Sequence, residues 1–324
     1  MNNILKNRKF VMFIALVSIF PILISAYCID SDLRDSSPSS QSVYTCVEVP
    51  RYVVFCGDTV SLKRYDRHER MDRELMAFSF MHSTSIQTIK RANRYFPVIV
   101  PILMENGIPE DFKYLMAIES ACNPLARSGA GAVGLWQFMP ATAKEYGLEV
   151  NSHVDERYNV VKSTYAACKY LKEAYSRFGD WISVAASYNA GQTRISKQQE
   201  SQYTEETLDL YLVEETARYV YRIFAAKLLF DNPSAFGFNL RSSDLYPQIK
   251  CKTVKVSETI TDLPRFAKSQ GITYSILKNM NPWLRDTSLP AKSGKEYEIL
   301  IPVKEEMDYN PDFTIPYSKD WVVQ

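Results

Sequence analysis

The sequence predicts a mainly α-helical domain followed by a small β-α-α-β unit. Three observations carry this. Between about residues 72 and 233, apolar residues recur at helical spacing with little strand alternation. Pro and Gly punctuate that stretch where helices would begin and end. Beyond a linker at 232–248 that carries Pro, Gly and Ser, the texture changes to a strand-like alternation at 250–256, two short helical runs and a closing strand at 297–302.

Taken in order, the chain opens with Lys6, Arg8 and Lys9 before an uncharged apolar run at 11–26. That run is short for a membrane span, is interrupted by Pro21 and ends in Ile24-Ser25-Ala26. It reads as a secretory signal at 1–26. An uncleaved anchor and a lipid-modified Cys28 are the alternatives, so membrane attachment is open; Tyr27 stands where lipid processing requires a small residue. Residues 27–60 read as a tether, rich in Ser, Asp and Pro at 30–42, with a short strand segment. Export would place Cys28, Cys46, Cys56, Cys122, Cys168 and Cys251 in an oxidising compartment. A Cys46–Cys56 staple and a Cys122–Cys168 pair are the expected bridges, although spacing does not fix connectivity. Cys168 also reads as a small buried hydrophobe on the stripe Val161, Tyr165, Cys168, Leu171, Tyr175, Phe178.

The main domain is expected at 61–236. Its charges at 63–74 alternate in sign, the pattern of a solvated helix face. Helices are predicted at 109–120, 140–147, 157–178 (closed by Gly179), 181–188 and 214–230, the last stopping before Pro233. The small unit occupies 250–303, with helices at 262–270 and 274–280, and a charged, irregular tail fills 304–324. A net charge of +1 argues against nucleic-acid binding, which needs a basic stripe. No CxxC is present, and His68, His82 and His153 lack metal-ligand spacing, so neither a metal nor a cofactor is expected.

The sharpest local signal is the helix at 109–120. Pro109 suits a first turn, and Glu110 and Asp111 favour the positive end of the helix dipole. The inward stripe Phe112, Leu115, Met116 continues onto Glu119. A carboxyl there is half-buried at the negative end of the helix, and both effects favour its protonated form. Such a group donates a proton to a leaving oxygen; a buried Glu paired with a basic residue is the alternative. Asn123-Pro124 ends the helix, and the small residues at 128–134 let backbone approach a ligand.

Four blocks then line up in order: Glu119-Ser120 with Asn123-Pro124; Ser128 with Gly131-Ala132-Val133-Gly134-Leu135-Trp136-Gln137-Phe138-Met139-Pro140; Ala186-Ser187-Tyr188-Asn189-Ala190-Gly191; and Glu215-Thr216-Ala217-Arg218-Tyr219-Val220. Val154-Asp155-Glu156-Arg157 and Ser163-Thr164 match a further segment. Together they resemble the goose-lysozyme-like transglycosylase domain of lytic murein transglycosylases, most of all the D-type membrane-bound enzymes with C-terminal LysM modules. The resemblance spans about half the chain. It implies a lysozyme-like fold, with Glu119 as catalytic acid/base and Ser128, Gly134, Gln137, Tyr188, Asn189, Glu215 and Tyr219 at the sugar cleft. Tyr188 would hydrogen-bond near the catalytic carboxyl. For Tyr188 and Tyr219 core packing is the competing reading.

Ordinary glycosidases flank the scissile bond with two carboxylates; here one stands out, and Asp155 and Glu156 read as helix caps. The resemblance implies cleavage between N-acetylmuramic acid and N-acetylglucosamine with a 1,6-anhydromuramoyl product. Peptidoglycan strands would be the partner of a monomeric, exported protein of the periplasm, associated with the outer membrane if anchored. A hydrolysing goose-type lysozyme and a non-catalytic wall-binding protein are the rivals. Residues 252–260, Leu263, Phe266, Asn281-Pro282 and 299–302 resemble a LysM glycan-binding module. The departures are Ser257-Glu258-Thr259-Ile260 where that family has Gly-Asp-Thr-Leu, and Pro264 early in the first helix.

Overall fold

In the computed structural model, which describes residues 46–292 and 294–323, the chain enters through a hairpin. Strands β1 (Tyr52–Phe55) and β2 (Asp58–Ser61) pair antiparallel, with Val53 opposite Val60. Cys56 and Gly57 both hold positive φ, as a tight hairpin turn requires. Phe55 and Leu62 are fully buried against the helices that follow, so this segment is part of the main core and not of a tether. The predicted signal, Cys28 and most of the tether lie outside the described residues.

Helices α1 (Tyr65–Phe80), α2 (His82–Glu105), α3 (Phe112–Ser120), α4 (Pro140–Glu145), α5 (Val160–Phe178), α6 (Trp181–Ala190), α7 (Gln192–Ser201) and α8 (Glu214–Asp231) build the main body. One apolar core runs through it, with Phe96, Phe112, Trp136, Tyr221 and Phe224 among its largest members. Among the described residues no helix is long and apolar enough to cross a membrane.

Several expectations are corrected. Helix α5 begins at Val160, not 157, because the Asn159 side chain accepts from the Lys162 N–H and caps it, while Glu156–Tyr158 forms a separate 3-10 turn. Gly179 does close α5, at φ +75°. Of the predicted stripe on α5, Cys168 and Leu171 are buried and Phe178 packs partly against the core, but the other three residues are not inward. Val161, Tyr165 and Tyr175 are exposed, and the buried face is Thr164, Ala167, Cys168, Leu171 and Ala174, small residues that let α5 lie close to α2. Helix α7, with Ile195 as its one buried residue, had no apolar periodicity to reveal it. The alternating charges of α1 are more than a solvated face. Arg64 and Arg67 bind Asp209, and buried Glu74 pairs with Arg218 of α8 at 2.6 Å. Neither expected disulfide forms: Cys46, Cys56, Cys122 and Cys168 are free thiols, with Cys122 and Cys168 each fully buried.

The small unit is as predicted. Strands β3 (Cys251–Val256) and β4 (Tyr297–Pro302) pair antiparallel around helices α9 (Leu263–Ser269) and α10 (Tyr274–Met280). The tail is irregular but not loose. Trp321 packs against Phe96 and Phe230, and its indole N–H donates to the Phe230 carbonyl at 2.8 Å.

Candidate active site

Helix α3 is buried along its length from Phe112 to Ala117, including the Lys113 stem, so the single inward stripe expected there is an all-round burial instead. Its last turn carries Glu119. The chain then leaves through Ala121 and Cys122, both at positive φ (49° and 52°), with Ala121 N–H closing the helix onto the Ala117 carbonyl. Two consecutive left-handed non-glycine residues are costly, and such strain gathers at functional sites.

The Glu119 carboxyl is half-buried. Tyr219 of α8, itself 2% exposed, donates its hydroxyl to Glu119 Oε1 at 2.5 Å. Burial pushes the Glu119 pKa above the usual carboxylate range. The Tyr219 hydrogen bond and the Arg222 charge pull it down, and Glu215 pushes it up. The elevation expected from the sequence is present, with burial as its leading cause. Among the described residues no cation lies within ion-pair distance of Glu119, so it is not the simple buried pair of the alternative reading.

Tyr188 of α6 donates to the Trp136 carbonyl at 2.7 Å and not to Glu119. Burial, and then the Glu119 charge, raise its hydroxyl pKa well above normal. The residue bonding the carboxyl is thus Tyr219, and Tyr188 ties α6 to the loop that carries Gln137. Asn189 accepts from Thr216 Oγ1 at 2.8 Å, joining the ends of α6 and α8. Glu215 is exposed in the first turn of α8. A cavity of about 220 Å3 is lined by Phe78, Met81, Ile118, Arg218 and Arg222, and Glu119 is not among the residues that line it.

Loop 126–138 is tied to α6 through the Tyr188 hydroxyl and carries three of the expected site residues. Ser128 Oγ accepts from the Ala132 N–H at 3.0 Å, closing a turn. Gly134 has φ +80°, and a Cβ on it would stand 2.0 Å from the Arg157 carbonyl oxygen, so only glycine fits. Gln137, at φ +50°, gives its amide N–H2 to the Gly134 carbonyl at 2.7 Å and the Ala126 carbonyl at 3.3 Å. Its amide nitrogen therefore braces the loop instead of facing the cleft. Three contributors were not singled out from sequence: Arg222, Thr216 and Arg157. Arg157 is salt-bridged to Asp155 at 2.7 Å and donates to the carbonyls of Gly131 and Phe138, clasping both ends of the loop. Its signal was the Val154-Asp155-Glu156-Arg157 segment, where Asp155 and Glu156 looked like caps; Asp155 does accept from the Arg157 N–H, and both carboxylates are buried in ion pairs. Among the described residues no cluster of His, Cys, Asp or Glu could hold a metal ion.

Comparison with known proteins adds to this geometry. Residues 98–210 match the model of the transglycosylase SLT domain, and residues 252–305 that of the soluble lytic transglycosylase C-terminal LysM-like domain. Membrane-bound lytic murein transglycosylase D of Escherichia coli strain K12 is 30% identical over 77% of this chain and 55% of its own length. The chain thus spans about half the length of that relative. The transglycosylase of Enterobacteria phage PRD1 is 38% identical over 22% of this chain and 25% of its own. A solved lytic transglycosylase Slt from Pseudomonas aeruginosa is 21% identical, with a TM-score of 0.34, over 49% of this chain and 30% of that one. The chain is therefore similar to transglycosylase SLT domains over residues 98–210 and to soluble lytic transglycosylase C-terminal LysM-like domains over residues 252–305.

Proposed function

We propose that the protein is a peptidoglycan lytic transglycosylase that cleaves the β-1,4 bond between N-acetylmuramic acid and N-acetylglucosamine and leaves 1,6-anhydromuramoyl ends. The observation that carries this reading is Glu119: one reluctantly ionising carboxyl, bonded by Tyr219 of α8 and close enough to Tyr188 of α6 for its charge to act there. A two-carboxylate hydrolase would need a partner across the bond. Asp155 and Glu156 are poor candidates, being buried and bonded to Arg157, Lys162 and Lys295.

With one carboxyl the same group acts twice. Protonated Glu119 gives its proton to the bridging oxygen as the C1–O bond breaks, and the N-acetylglucosamine end leaves with a hydroxyl. The substrate's own N-acetyl carbonyl holds the developing charge at C1. Glu119, now ionised and stabilised by the Tyr219 hydroxyl, takes the proton from the muramoyl 6-hydroxyl while that oxygen bonds to C1. The proton returns to Glu119 and no water is consumed. A pKa raised toward the working pH suits a group that must serve as acid and then base. Ser128, Gly134, Gln137, Tyr188, Asn189, Glu215 and Tyr219 are the proposed sugar-cleft residues. In this reading the protein is exported, works as a monomer on periplasmic peptidoglycan, and meets the outer membrane if its first residues anchor it.

Mass spectrometry of muropeptides released by the wild type and by Glu119→Gln tests the proposal. Products one water lighter than reducing-end fragments, absent with the variant, support it. Reducing ends would make it a lysozyme. No release by either protein would leave a wall-binding protein.

A further inference from the structure

The small C-terminal unit does not hang from a linker; it is built into the wall of the site. Val133, between Gly131 and Gly134 of the proposed sugar loop, is 3% exposed and belongs to the apolar core of that unit, with Leu263, Leu277, Leu284 and Ile299. Val154 and Tyr158 of the main domain join the same core. Backbone pairing adds direction. The Asp155 N–H donates to the Trp283 carbonyl at 2.9 Å, and the Arg285 N–H to the His153 carbonyl at 2.8 Å. The Arg285 guanidinium lies 4.5 Å from the Tyr158 ring centroid. A charged latch closes the rim. Lys292 and Lys295 both bind Glu149, Tyr297 donates to Glu149 at 3.0 Å, and Lys295 reaches Glu156 at 3.1 Å. Each of these contacts lands on 149–158 or on Val133. From there Arg157 holds Gly131 and Phe138, and its carbonyl sits against Gly134.

We infer that the C-terminal unit is a fixed brace for loop 126–138, with Lys292, Lys295 and Glu149 as positioning residues for the reaction, and not a separate glycan anchor. The physical reason is that a glycine-rich loop is entropically soft. Fixing it from outside holds the reacting groups in place, and misplacement by about 1 Å can lower a rate by roughly a hundredfold. Burial alone would raise the Glu149 carboxyl, but the two lysines bring it down to about 2, so the latch stays charged at working pH. The inference rests on the lytic transglycosylase reading.

The test uses the full chain carrying Lys292→Ala with Lys295→Ala, the same pair changed to Arg, and Val133→Ala as an independent route to the same loop. A brace predicts that kcat for muropeptide release falls about tenfold or more in the alanine pair and in Val133→Ala. It predicts that the fraction of protein pelleting with insoluble peptidoglycan is unchanged, and that the Arg pair, which keeps both cations, regains most of the rate. Hydrogen exchange of amides 126–138 should quicken in the alanine pair. Lost pelleting with kcat intact would make the unit an anchor and overturn the inference, as would unchanged kcat and exchange in all variants. Should the wild type release nothing, the enzymatic reading falls on its own, and the exchange of 126–138 still decides whether the unit braces the loop.

Discussion

Gly134→Ala isolates the contact on which the sugar loop depends. A Cβ at this position would lie 2.0 Å from the Arg157 carbonyl oxygen and 3.0 Å from its carbonyl carbon. Contacts below about 3.0 Å do not persist, so the two backbones must part by at least 1.0 Å, the difference between 3.0 and 2.0. Neither is free to move. Arg157 is held by Asp155, Gly131 and Phe138, and Gly134 N–H by the Ala126 carbonyl. Alanine at φ +80° costs about 1–2 kcal/mol in backbone strain, and overpacking adds roughly 1–3 kcal/mol. At about 2–4 °C per kcal/mol for a domain of roughly 150–250 residues, Tm should fall by roughly 4–20 °C. Gly131→Ala is the internal control. It shares a positive φ of 92° but has nothing within 4 Å of its added Cβ, so only the backbone cost of about 1–2 kcal/mol applies. Thermal unfolding followed by circular dichroism, with muropeptide release alongside, reads both. Equal Tm for the two variants, or a Gly134→Ala protein as active as wild type, would refute the close approach of Arg157 to the loop.

Three more outcomes follow from the site and the tail. Tyr219→Phe removes the hydrogen bond that lowers the Glu119 pKa, so the high-pH limb of kcat/KM, where the proton donor is lost, should move to higher pH; an unmoved limb would mean that Tyr219 does not bond Glu119. Glu119→Gln should be the more stable protein at neutral pH. The folded-state pKa of Glu119 lies above its unfolded value, so its contribution is present below the unfolded pKa and lost as pH rises through the folded one, and the gap in Tm between variant and wild type should widen over that window. A gap independent of pH would count against the raised pKa. Trp321→Ala should cost about 3–5 kcal/mol by emptying its place against Phe96 and Phe230, seen in urea unfolding, while leaving the pH limb where it was; a cost near zero would mean that the tail is not docked.

What could be read in advance was what local chemistry dictates. The β-α-α-β unit showed in the change from helical to alternating pattern at 250–256, and Gly179 and Pro233 marked real helix ends. Glu119 stood out because a carboxyl occupied an apolar position. Illegible were the features set by tertiary contact. Helix α5 buries three alanines, a serine and a threonine, which carry little hydropathy, so the larger Val161, Tyr165 and Tyr175 were wrongly read as part of its inward stripe. The Asn159 cap set the start of α5 three residues beyond the expected 157. The role of Tyr219 depended on α8 crossing α3, a pairing a hundred residues apart in sequence. Nothing local in the sequence marks Lys292 and Lys295 as partners of Glu149, which lies 143 and 146 residues away.

Strain and stability are placed apart in this chain. Among the described residues, three of the five left-handed non-glycine residues, Ala121, Cys122 and Gln137, lie on the segments that follow the half-buried Glu119, while Cys56 and Tyr203 lie elsewhere. Each such backbone costs on the order of 1–3 kcal/mol unless its surroundings over-determine it. Those surroundings are the aromatic cluster of Phe96, Phe230 and Trp321 on one side and the shared core around Val133 and Leu284 on the other. The aromatic cluster packs on Tyr114 of α3 and the shared core takes in Val133 of loop 126–138, so the two limit how far α3 and the loop can relax. A helix end that relaxed would let water reach Glu119 and return its pKa toward that of an ordinary glutamate, and the proton it must donate would then be gone at working pH. The packing far from the cleft and the protonation state within it are therefore parts of one device.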